Sequence, residues 1–338
     1  MRNHTFQGLK SMQNEHIFVD LNAFLAAQNR IQPAAVRTPL VRLDSAVTHG
    51  RQIYIKAESA QPIGSFKLRG AYNMIAQLSP EQLKLGVITY SSGNHAQGVA
   101  YAARALGAKA VIVMPDNAPL IKREATAALG AEIVFVGPAS SERKVKAEEL
   151  AAQHGYTMVP PYDDPAIIAG QGTCGLEIIE QLPDVELVLS PVSGGGLLSG
   201  VATAIKLKRP DVKVFGAEPE LSGDAKESFD TKQLVEWPAS KTTRTLADGL
   251  RTQSLGHLNF AHVLRYVDGI VTVSEEEMLD AMRTMLNHTD LVPEPSGAVT
   301  LAAALFHADE LPQASRIVVI LSGGNIEPAL LGRLRAGS

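Results

Sequence analysis

Residues 86–115 read GVITYSSGNHAQGVAYAARALGAKAVIVMP and contain an apolar run, a polar turn, an alanine-rich stretch and a second apolar run. The runs 87–90 and 110–114 are rich in residues that favour β-strands, whereas 95–106 is rich in residues that favour helices. Strands that alternate with helices in this way are typical of an α/β protein with parallel sheets. The stretch therefore predicts a strand, a helix and a second strand, with the polar turn at the sheet edge where ligands bind.

The same alternation extends towards the end of the chain. Further strands and helices are expected at 120–129 (helix), 133–136 (strand), 141–154 (helix), 167–181 (helix), 187–191 (strand), 197–208 (helix), 212–217 (strand) and 317–321 (strand). The strand segments are continuous apolar runs, as in sheets that are covered by helices on both faces. No repeat or linker divides the chain, but three closely spaced units between residues 86 and 160 can form a small sheet of their own. We therefore expect an α/β fold with a small sheet and a larger one.

The bulk composition of the 338 residues argues against several classes of protein. Hydrophobic residues make up 45%, so that the chain can form a large core, and the net charge of −4 gives no sign of a nucleic-acid or membrane partner. No apolar run approaches the roughly 18 residues of a membrane span, and residues 1–12 lack the apolar segment of a secretory signal. The single cysteine, Cys174, excludes a disulfide framework and a cysteine-rich metal site. We expect a cytoplasmic protein.

A lysine follows a turn-like segment and begins a predicted helix. Lys67 stands in Ser-Phe-Lys-Leu-Arg-Gly (65–70), after the sequence Pro-Ile-Gly-Ser, and the helix is expected at 68–78. The helix dipole disfavours a positive charge at this end of a helix. An imine on this lysine, next to a bound phosphate group, would remove the conflict. The alternative is an ordinary solvated lysine on the surface.

Two further turns place polar or small residues between a strand and a helix. The first, Ser-Ser-Gly-Asn-His (91–95), offers backbone N–H groups and side-chain donors that suit a carboxylate, although serine and asparagine are also common helix caps. The second, Ser-Gly-Gly-Gly-Leu (193–197), lets the backbone approach an anion and is typical of a phosphate site. The spacing of Gly194, Gly196 and Gly200 also permits a dinucleotide, and a purely structural turn is a further alternative.

Three weaker signals lie in the second half of the chain. Ser322 follows the last apolar strand in the sequence Ser-Gly-Gly-Asn, where its hydroxyl can reach a ligand. Glu218 and Asp224 bring two carboxylates close to a glycine after a strand, which indicates either a hard-cation site or an acidic loop. Glu294 lies between two prolines ahead of an apolar helix, with Ser296 as a candidate helix cap.

The order of these segments resembles that of a known enzyme family. The chain is similar to the fold type II enzymes that use pyridoxal 5′-phosphate (PLP), and within them to the serine/threonine dehydratase and serine racemase family. Four segments carry this resemblance: 65–70, 91–98, 193–197 and 322–325. The stretch Ile-Ala-Gly-Gln-Gly-Thr (168–173) is also typical of that family. The resemblance covers residues 38–325, which is nearly the whole chain.

The resemblance implies a fold of the tryptophan synthase β kind. It implies two parallel-sheet α/β domains with PLP between them. The large domain would consist of residues 1–80 and 162–338, and the small domain of residues 81–161. The resemblance also implies a homodimer that acts on a small amino acid and binds neither nucleic acid nor membrane.

The resemblance further implies roles for individual residues. Lys67 matches the Schiff-base lysine and is expected to act as the catalytic base, whereas Ser92 matches an acid on the opposite face of the substrate. The expected cofactor-binding residues are Phe66, Lys67, Asn94, Ser193, Gly194, Gly195, Gly196, Leu197, Gly249 and Ser322. The expected substrate-binding residues are Ser91, Ser92, Asn94, His95 and Arg143. The expected ligands of a Mg²⁺ or Ca²⁺ ion are Glu218, the backbone carbonyl of Ser222, and Asp224.

The activity that the resemblance implies is the dehydration and deamination of L-threonine or L-serine to a 2-oxo acid and ammonia. Racemisation is the nearest alternative, because Ser92 and Arg143 match positions of serine racemases, whereas Tyr-Asp-Asp-Pro at 162–165 is more similar to dehydratases. A hydroxyaspartate dehydratase is a further alternative. A nicotinamide-dependent oxidoreductase would explain only the glycine-rich turn, and an amino-acid sensor without turnover would not need Lys67.

Overall fold

The computed structural model describes residues 18–48, 50–91, 93–118, 120–137 and 140–336. Within these ranges the chain forms ten strands: β1 (Leu40–Arg42), β2 (Gln52–Ala57), β3 (Val87–Tyr90), β4 (Ala110–Pro115), β5 (Glu132–Val136), β6 (Thr157–Met158), β7 (Leu187–Pro191), β8 (Lys213–Pro219), β9 (Gly269–Val273) and β10 (Arg316–Leu321). In the same ranges it forms fourteen α-helices: α1 (Leu21–Ile31), α2 (Lys67–Ile75), α3 (Pro80–Leu85), α4 (Asn94–Ala105), α5 (Leu120–Ala128), α6 (Ser140–His154), α7 (Pro165–Gln181), α8 (Gly196–Lys208), α9 (Asp224–Thr231), α10 (Ala239–Thr242), α11 (His257–Tyr266), α12 (Glu275–His288), α13 (Pro295–Phe306) and α14 (Pro328–Ala336). Short 3-10 turns lie at Glu58–Ala60, Glu220–Ser222 and Asp248–Leu250. None of the helices described is long and apolar enough to cross a membrane.

The strands form two separate sheets. The larger sheet has the strand order β1-β2-β10-β7-β8-β9 and is parallel except for the antiparallel pair of β1 and β2. The smaller sheet has the order β5-β4-β3-β6 and is parallel. The predicted α/β class with parallel sheets is confirmed. All strands of the smaller sheet lie between residues 87 and 158, whereas the domain boundaries at residues 81 and 161 stay a prediction.

Both sheets are covered by helices on their two faces. One face of the larger sheet packs against α1, α7, α8 and α11 through side chains such as Val188 and Ile320. The other face packs against α12, α13 and α14 through side chains such as Leu189 and Val319. The smaller sheet lies in the same way between α2 and α4 on one side and α6 on the other. Successive residues of one strand therefore face opposite cores, which explains why most strand segments are largely apolar.

Local sequence explains where several helices begin. Ser79 and Gln82 form a capping box at α3, and Ser274 and Glu277 form a second one at α12. Asp164 caps α7 by accepting hydrogen bonds from two N–H groups of its first turn. The helices α4 and α8, which follow the two predicted anion-binding turns, begin without a side-chain cap of this kind. Their first N–H groups therefore remain available to a ligand.

The carboxyl ends of strands from both sheets meet at one place. Strand β3 of the smaller sheet leads into α4, whereas β7 of the larger sheet leads into α8. Asn94, at the start of α4, accepts a hydrogen bond from Asn325, which follows β10 of the larger sheet. The helix α2 begins beside the same turn, because Phe66 N donates to the backbone oxygen of Ser322 (3.0 Å). This meeting point contains most of the predicted site residues.

Candidate active site

Lys67 is the first residue of α2, and its amine lies inside the protein. Lys67 Nζ donates a hydrogen bond to the backbone oxygen of Pro161 (2.8 Å) and lies 5.1 Å from the centre of the Phe66 ring. Burial lowers the pKa of the Lys67 amine to about 8, because apolar surroundings disfavour the charged form. At neutral pH this amine is therefore uncharged far more often than that of an ordinary lysine.

Asn94 connects the turn after β3 with the turn after β10. Asn94 Oδ1 accepts a hydrogen bond from Asn325 Nδ2 (2.7 Å), and Asn94 Nδ2 donates to Glu294 Oε1 (2.7 Å). Asn325 Nδ2 also donates to the backbone oxygen of Ile63 (2.9 Å). These bonds fix which side of the Asn94 amide carries the oxygen and which carries the nitrogen.

Buried polar atoms with open hydrogen-bonding capacity surround this connection. Within the described ranges, Ser65 Oγ and His95 Nδ1 have no hydrogen-bond partner. His95 Nε2 lies 3.0 Å from the backbone oxygen of Val159, so that Nε2 carries the proton and Nδ1 is an open acceptor. Burial and the nearby charge of Lys67 lower the pKa of His95 to about 3, which keeps the imidazole neutral. Ser322 is also buried at this place.

The turn after β3 leaves backbone donors open. Gly93 N donates to Ser91 Oγ (3.3 Å), which closes the turn, and Gly93 occupies the N-cap position of α4. The N–H groups of Asn94 and His95 donate to no acceptor in the described part of the chain. Together with the positive end of the helix dipole, these N–H groups form a site for a carboxylate.

The glycine-rich turn after β7 is open on one side and held on the other. Gly195, the N-cap residue of α8, has a φ of +94°, which glycine adopts without strain. No N–H group of residues 194–197 donates to another described residue. On the outer side Gly194 O accepts from Gly256 N (3.0 Å), and Ser193 Oγ lies 2.7 Å from Thr252 Oγ1. The turn is therefore preformed for a phosphate group.

Tyr162 covers the glycine-rich turn, although we did not predict it as a site residue. A Cβ at Gly194 would lie 2.4 Å from the Tyr162 ring, and a Cβ at Gly196 would lie 2.9 Å from Tyr162 Cβ. Tyr162 directly follows Pro161, whose backbone oxygen binds Lys67 Nζ. Burial raises the pKa of Tyr162 to about 12, so that its phenol stays protonated. The segment 161–162 therefore connects the lysine with the glycine-rich turn.

A family comparison decides which group this arrangement binds. The family model described as "Pyridoxal-phosphate dependent enzyme" matches residues 31–323. The chain belongs to this family. The resemblance found from the sequence is confirmed, and the four segments that carry it lie in the matched range except for the last two residues of the segment 322–325.

Individual relatives are similar over nearly the whole chain. The L-threo-3-hydroxyaspartate ammonia-lyase of Saccharomyces cerevisiae is 40% identical over 93% of this chain and 95% of its own length. The solved T.th. threonine deaminase is 44% identical, with a TM-score of 0.86 over 91% of this chain and 99% of that one. The solved maize serine racemase is 36% identical, with a TM-score of 0.89 over 94% of this chain and 97% of that one.

The residues of the site fit PLP. The open N–H groups of residues 194–197 suit its phosphate, and the buried amine of Lys67 suits its aldehyde. The unpartnered Ser65 Oγ and His95 Nδ1 and the buried hydroxyl of Ser322 provide polar atoms for a heteroaromatic ring and its substrate. A ligand of this kind would satisfy polar groups that the described chain leaves without partners.

Glu294 also belongs to this site, and Gly249 lies beside it. Gly249 N donates to Ser296 Oγ (2.9 Å), and Ser296 lies within α13. Our expectation that Ser296 caps the helix is wrong, because Glu294 holds the N-cap position and makes no cap bond. Its carboxyl group binds Asn94 instead. Burial and the charge of Asp248 raise the pKa of Glu294 to about 7.

The structure gives less information on two predicted substrate-binding residues, Ser92 and Arg143. Ser92 lies outside the described residues. Arg143 is half-buried in the first turn of α6, and burial lowers its pKa. Because α6 follows β5, this turn lies at the same carboxyl edge of the smaller sheet as Ser91. Arg143 is therefore on the side of the sheet at which the substrate is expected.

The predicted cation ligands lie together at the end of β8. Glu218 and Asp224 are buried, and Glu218 Oε2 and Asp224 Oδ2 have no hydrogen-bond partner among the described residues. Burial and the charge of Asp224 raise the pKa of Glu218, and burial raises that of Asp224 to about 7. Ser222 lies between them, its hydroxyl donating to Leu250 O (2.8 Å). No three His, Cys, Asp or Glu side chains cluster in the described ranges, but two carboxylates with a backbone carbonyl suit a hard cation.

Proposed function

We propose that this chain is a PLP-dependent ammonia-lyase that converts L-threonine or L-serine to a 2-oxo acid and ammonia. The observation that carries the proposal is the buried amine of Lys67, whose partner Pro161 precedes the residue that covers the glycine-rich turn. The similarity to the T.th. threonine deaminase supports this choice of reaction. Family membership favours PLP over a nicotinamide dinucleotide as the ligand of that turn.

Lys67 has two tasks in the proposed reaction. PLP, when bound, withdraws electrons from the α-carbon of the substrate. Lys67 would hold the cofactor in the resting enzyme, and its free Nζ would remove the proton from Cα of the substrate. A pKa of about 8 leaves roughly a tenth of the amine uncharged at pH 7. The amine is therefore available as a base without help from a neighbouring acid.

The two open turns hold the charged ends of the ligands. The N–H groups of residues 194–197 would bind the phosphate of the cofactor, with Ser193 fixing the turn from outside. The N–H groups of Asn94 and His95 and the hydroxyl of Ser91 bind the substrate carboxylate. Both anions are thereby fixed by backbone groups that the fold positions, which orients Cα towards Lys67.

Neutral groups surround the ring of the cofactor in this proposal. Ser322 would offer a hydroxyl to the pyridine nitrogen, and a hydroxyl would not protonate this nitrogen as a carboxylic acid would. This neutral partner would favour elimination, in which the negative charge leaves with the β-hydroxyl, over reactions that need a long-lived carbanion. Asn94, held by Glu294 and Asn325, would contact the ring oxygen. Phe66 and Gly249 would lie beside the ring.

Racemisation and the dehydration of hydroxyaspartate are the second candidates. Ser92 would return a proton to the face opposite Lys67, and the similarity to maize serine racemase supports this activity. Arg143 offers a cation for the second carboxylate of hydroxyaspartate, and the similarity to the yeast L-threo-3-hydroxyaspartate ammonia-lyase supports that substrate. Neither activity excludes dehydration, because all three reactions begin with loss of the Cα proton.

The proposal includes a divalent cation, Mg²⁺ or Ca²⁺. It is proposed to bind to Glu218, the backbone carbonyl of Ser222, and Asp224, because these groups offer only oxygen atoms and include two buried carboxylates.

We also propose a cytoplasmic homodimer, as the sequence leads us to expect. Sedimentation of the purified protein would measure the oligomeric state directly.

A substrate panel with three proteins tests the function. Wild type, Lys67→Ala and Ser92→Ala are given L-threonine, L-serine, D-serine and L-threo-3-hydroxyaspartate, and the oxo acid and the enantiomers are measured separately. Wild type should form the oxo acid from L-threonine or L-serine, and its visible absorbance band should disappear with borohydride. Lys67→Ala should lose both the band and turnover, by far more than the roughly 10²–10⁴-fold effect of an auxiliary proton donor.

The same panel separates the candidate activities. Ser92→Ala should keep dehydration of L-substrates and lose interconversion of enantiomers. Normal turnover by Lys67→Ala would overturn the proposed function. If wild type has no activity on D-serine, racemisation is excluded. If Ser92→Ala also loses dehydration of L-substrates, Ser92 does not act on the opposite face alone.

A further inference from the structure

Helix α7 lies between α2, which carries the reactive lysine, and α8, which follows the glycine-rich turn. It contains the segment 168–173, to which none of the roles above is assigned. A Cβ at Gly170 would lie 2.6 Å from Gly70 Cα of α2, and a Cβ at Gly200 of α8 would lie 2.6 Å from Gly172 N. Glycines thus let the three helix backbones touch, so that the position of α7 determines the positions of α2 and α8.

A side chain of α7 binds the first turn of α2. The backbone oxygen of Phe66, which precedes α2, accepts from Arg69 N (3.0 Å). The N–H of Gly70 donates instead to Gln171 Oε1 of α7 (3.2 Å), and Gln171 is buried. This turn therefore takes part of its hydrogen bonding from a helix that lies 101 residues further along the chain.

A buried group of four charges joins the same turn to α7. Arg69 binds Glu58 through Nε and Nη2 (2.7 and 2.8 Å) and Glu177 through Nη1 and Nη2 (2.7 and 2.8 Å). Lys56 completes the group with a hydrogen bond to Glu177 (2.5 Å). All four side chains are buried, and their formal charges sum to zero. Because a planar guanidinium binds two carboxylates in one orientation only, these bonds fix the rotation of α2.

We propose that Gln171 and Glu177 of α7 are positioning residues that hold the first turn of α2, and with it Lys67, at the place from which the amine reacts. The inference rests on the role proposed for Lys67. The amine stands at the end of a flexible four-carbon side chain, two residues before Arg69 and three before Gly70. A tilt of this turn moves the amine, and a displacement of about 1 Å can reduce a rate about 100-fold.

Two variants of α7 and its network test the proposal. Gln171→Met keeps the length of the side chain and removes the acceptor, whereas the pair Lys56→Met and Glu177→Gln keeps the buried group neutral. Each protein is freed of cofactor, and the attachment of added PLP is followed by visible absorbance. We expect attachment to become roughly 10- to 100-fold slower, and kcat to fall by a similar factor while KM changes little.

Control variants distinguish an effect on the position of Lys67 from an effect on the stability of the fold. Gln171→Glu retains an oxygen acceptor and should recover most of the attachment rate. Met282→Ala is the matched control, because Met282 is buried in the core on the face of the larger sheet that lies opposite α7. It should lower the Tm while leaving the attachment rate as in wild type. Every variant is measured at one temperature well below its own Tm.

The outcomes distinguish this inference from the proposed function. The inference is overturned if Gln171→Met and the double variant attach PLP at the wild-type rate. It is also overturned if Met282→Ala slows attachment as much as they do, because the rate then follows stability. If Lys67→Ala still attaches PLP and turns over substrate, the proposed function fails, whatever the α7 variants do.

Discussion

Burial increases the uncharged fraction of Lys67 and keeps His95 wholly uncharged, and both side chains bind backbone oxygens of one short segment. Lys67 Nζ donates to Pro161 O, and His95 Nε2 binds Val159 O. A backbone carbonyl orients an amine or an imidazole without offering a negative charge that would stabilise its protonated form. Burial therefore acts alone on Lys67, whose pKa falls to about 8. The fold holds the amine in place and leaves it reactive.

The pH dependence of cofactor attachment is our prediction for this residue. Only the uncharged amine attacks an aldehyde, so the attachment rate should rise about tenfold per pH unit below the pKa and level off above it. With a pKa of about 8, the plateau should begin close to pH 8 in the cofactor-free protein. The measurement is the rise of visible absorbance after PLP is added, between about pH 6 and pH 10.

A free amine gives the reference curve for this measurement. Nα-acetyl-lysine has a side-chain pKa of about 10.4, and its rate should still rise above pH 9. A rate for the protein that follows the same curve would contradict the lowered pKa of Lys67. A plateau near pH 8 that is lost in Lys67→Ala would support it, since the other lysines remain in that variant.

Single residues also show where sequence reasoning ends. Lys67 and the glycine-rich turn could be predicted because each stands in a local pattern of residues. The sequence around Glu294 indicates only a helix entry, because its partner Asn94 lies 200 residues away. The sequence indicates no site role for Tyr162 for the same reason, since it meets Gly194 only in the folded chain. A local sequence pattern does not predict contacts between residues that lie so far apart in the chain.

The sequence predicts several central strands of the two sheets well. The strands β3, β7 and β10 are largely apolar and mostly buried, and their predicted bounds differ from the observed ones by at most one residue. The strand β2 was missed because Lys56 interrupts its apolar pattern, and this charge is balanced by Glu177 of α7. Helix α1 and the antiparallel edge strand β1 are not predicted either, because their positions depend on partners that the sequence alone does not reveal. The strand β9 is also absent from the predicted elements, although it is largely apolar and mostly buried.

The glycine-rich turn is the element for which we predict the effect of one added methyl group. In Gly194→Ala, the new Cβ would lie 2.4 Å from the Tyr162 ring, so the turn or the ring must shift. The N–H groups that bind phosphate would then lose their alignment. We expect the Kd for PLP to rise at least about tenfold, which corresponds to about 1.4 kcal/mol. Titration of the cofactor-free protein with PLP measures this change.

Two further variants show whether the contact between the new Cβ and the Tyr162 ring causes the rise in the Kd for PLP. Gly332→Ala is the matched control, because an added Cβ there meets no atom within 4 Å. It should bind PLP as wild type does. Adding Tyr162→Ala to Gly194→Ala removes the ring and should recover part of the affinity. An unchanged Kd for Gly194→Ala would show that the turn does not bind the cofactor.

At the scale of the whole molecule, the site exists only because the two sheets meet. Lys67 Nζ binds Pro161, which directly precedes the Tyr162 that packs on the glycine-rich turn, and Asn94 binds Glu294 and Asn325. Lys122 of α5 forms a salt bridge with Asp248 beside the same place. Each contact joins segments that lie about 90 to 230 residues apart. The sequence predicted two sheets, but not which side chains would join them.

The proposed cation site connects the larger sheet with the pH dependence of stability. In the cation-free protein, burial raises the pKa of Asp224 from 3.8 to about 7 and raises that of Glu218 as well. The folded state then holds protons that the unfolded state has released. Between about pH 4 and pH 7 these groups therefore make the protein less stable as the pH rises. A bound cation would replace the protons and reverse this loss.

We therefore predict that Mg²⁺ or Ca²⁺ stabilises the protein more at about pH 8 than at about pH 5, because protons compete for the same oxygens. At about 100 times its Kd, a cation adds about 2.7 kcal/mol, or roughly 5 °C in Tm. The measurement is thermal unfolding with added cation and with a chelator at both pH values.

The variant Asp224→Asn, which removes one charge at the same volume, should abolish the gain in Tm. A gain that is equal at both pH values, or that survives in Asp224→Asn, would show that the cation binds elsewhere. No gain in wild type at pH 8 would show that Glu218 and Asp224 do not bind Mg²⁺ or Ca²⁺.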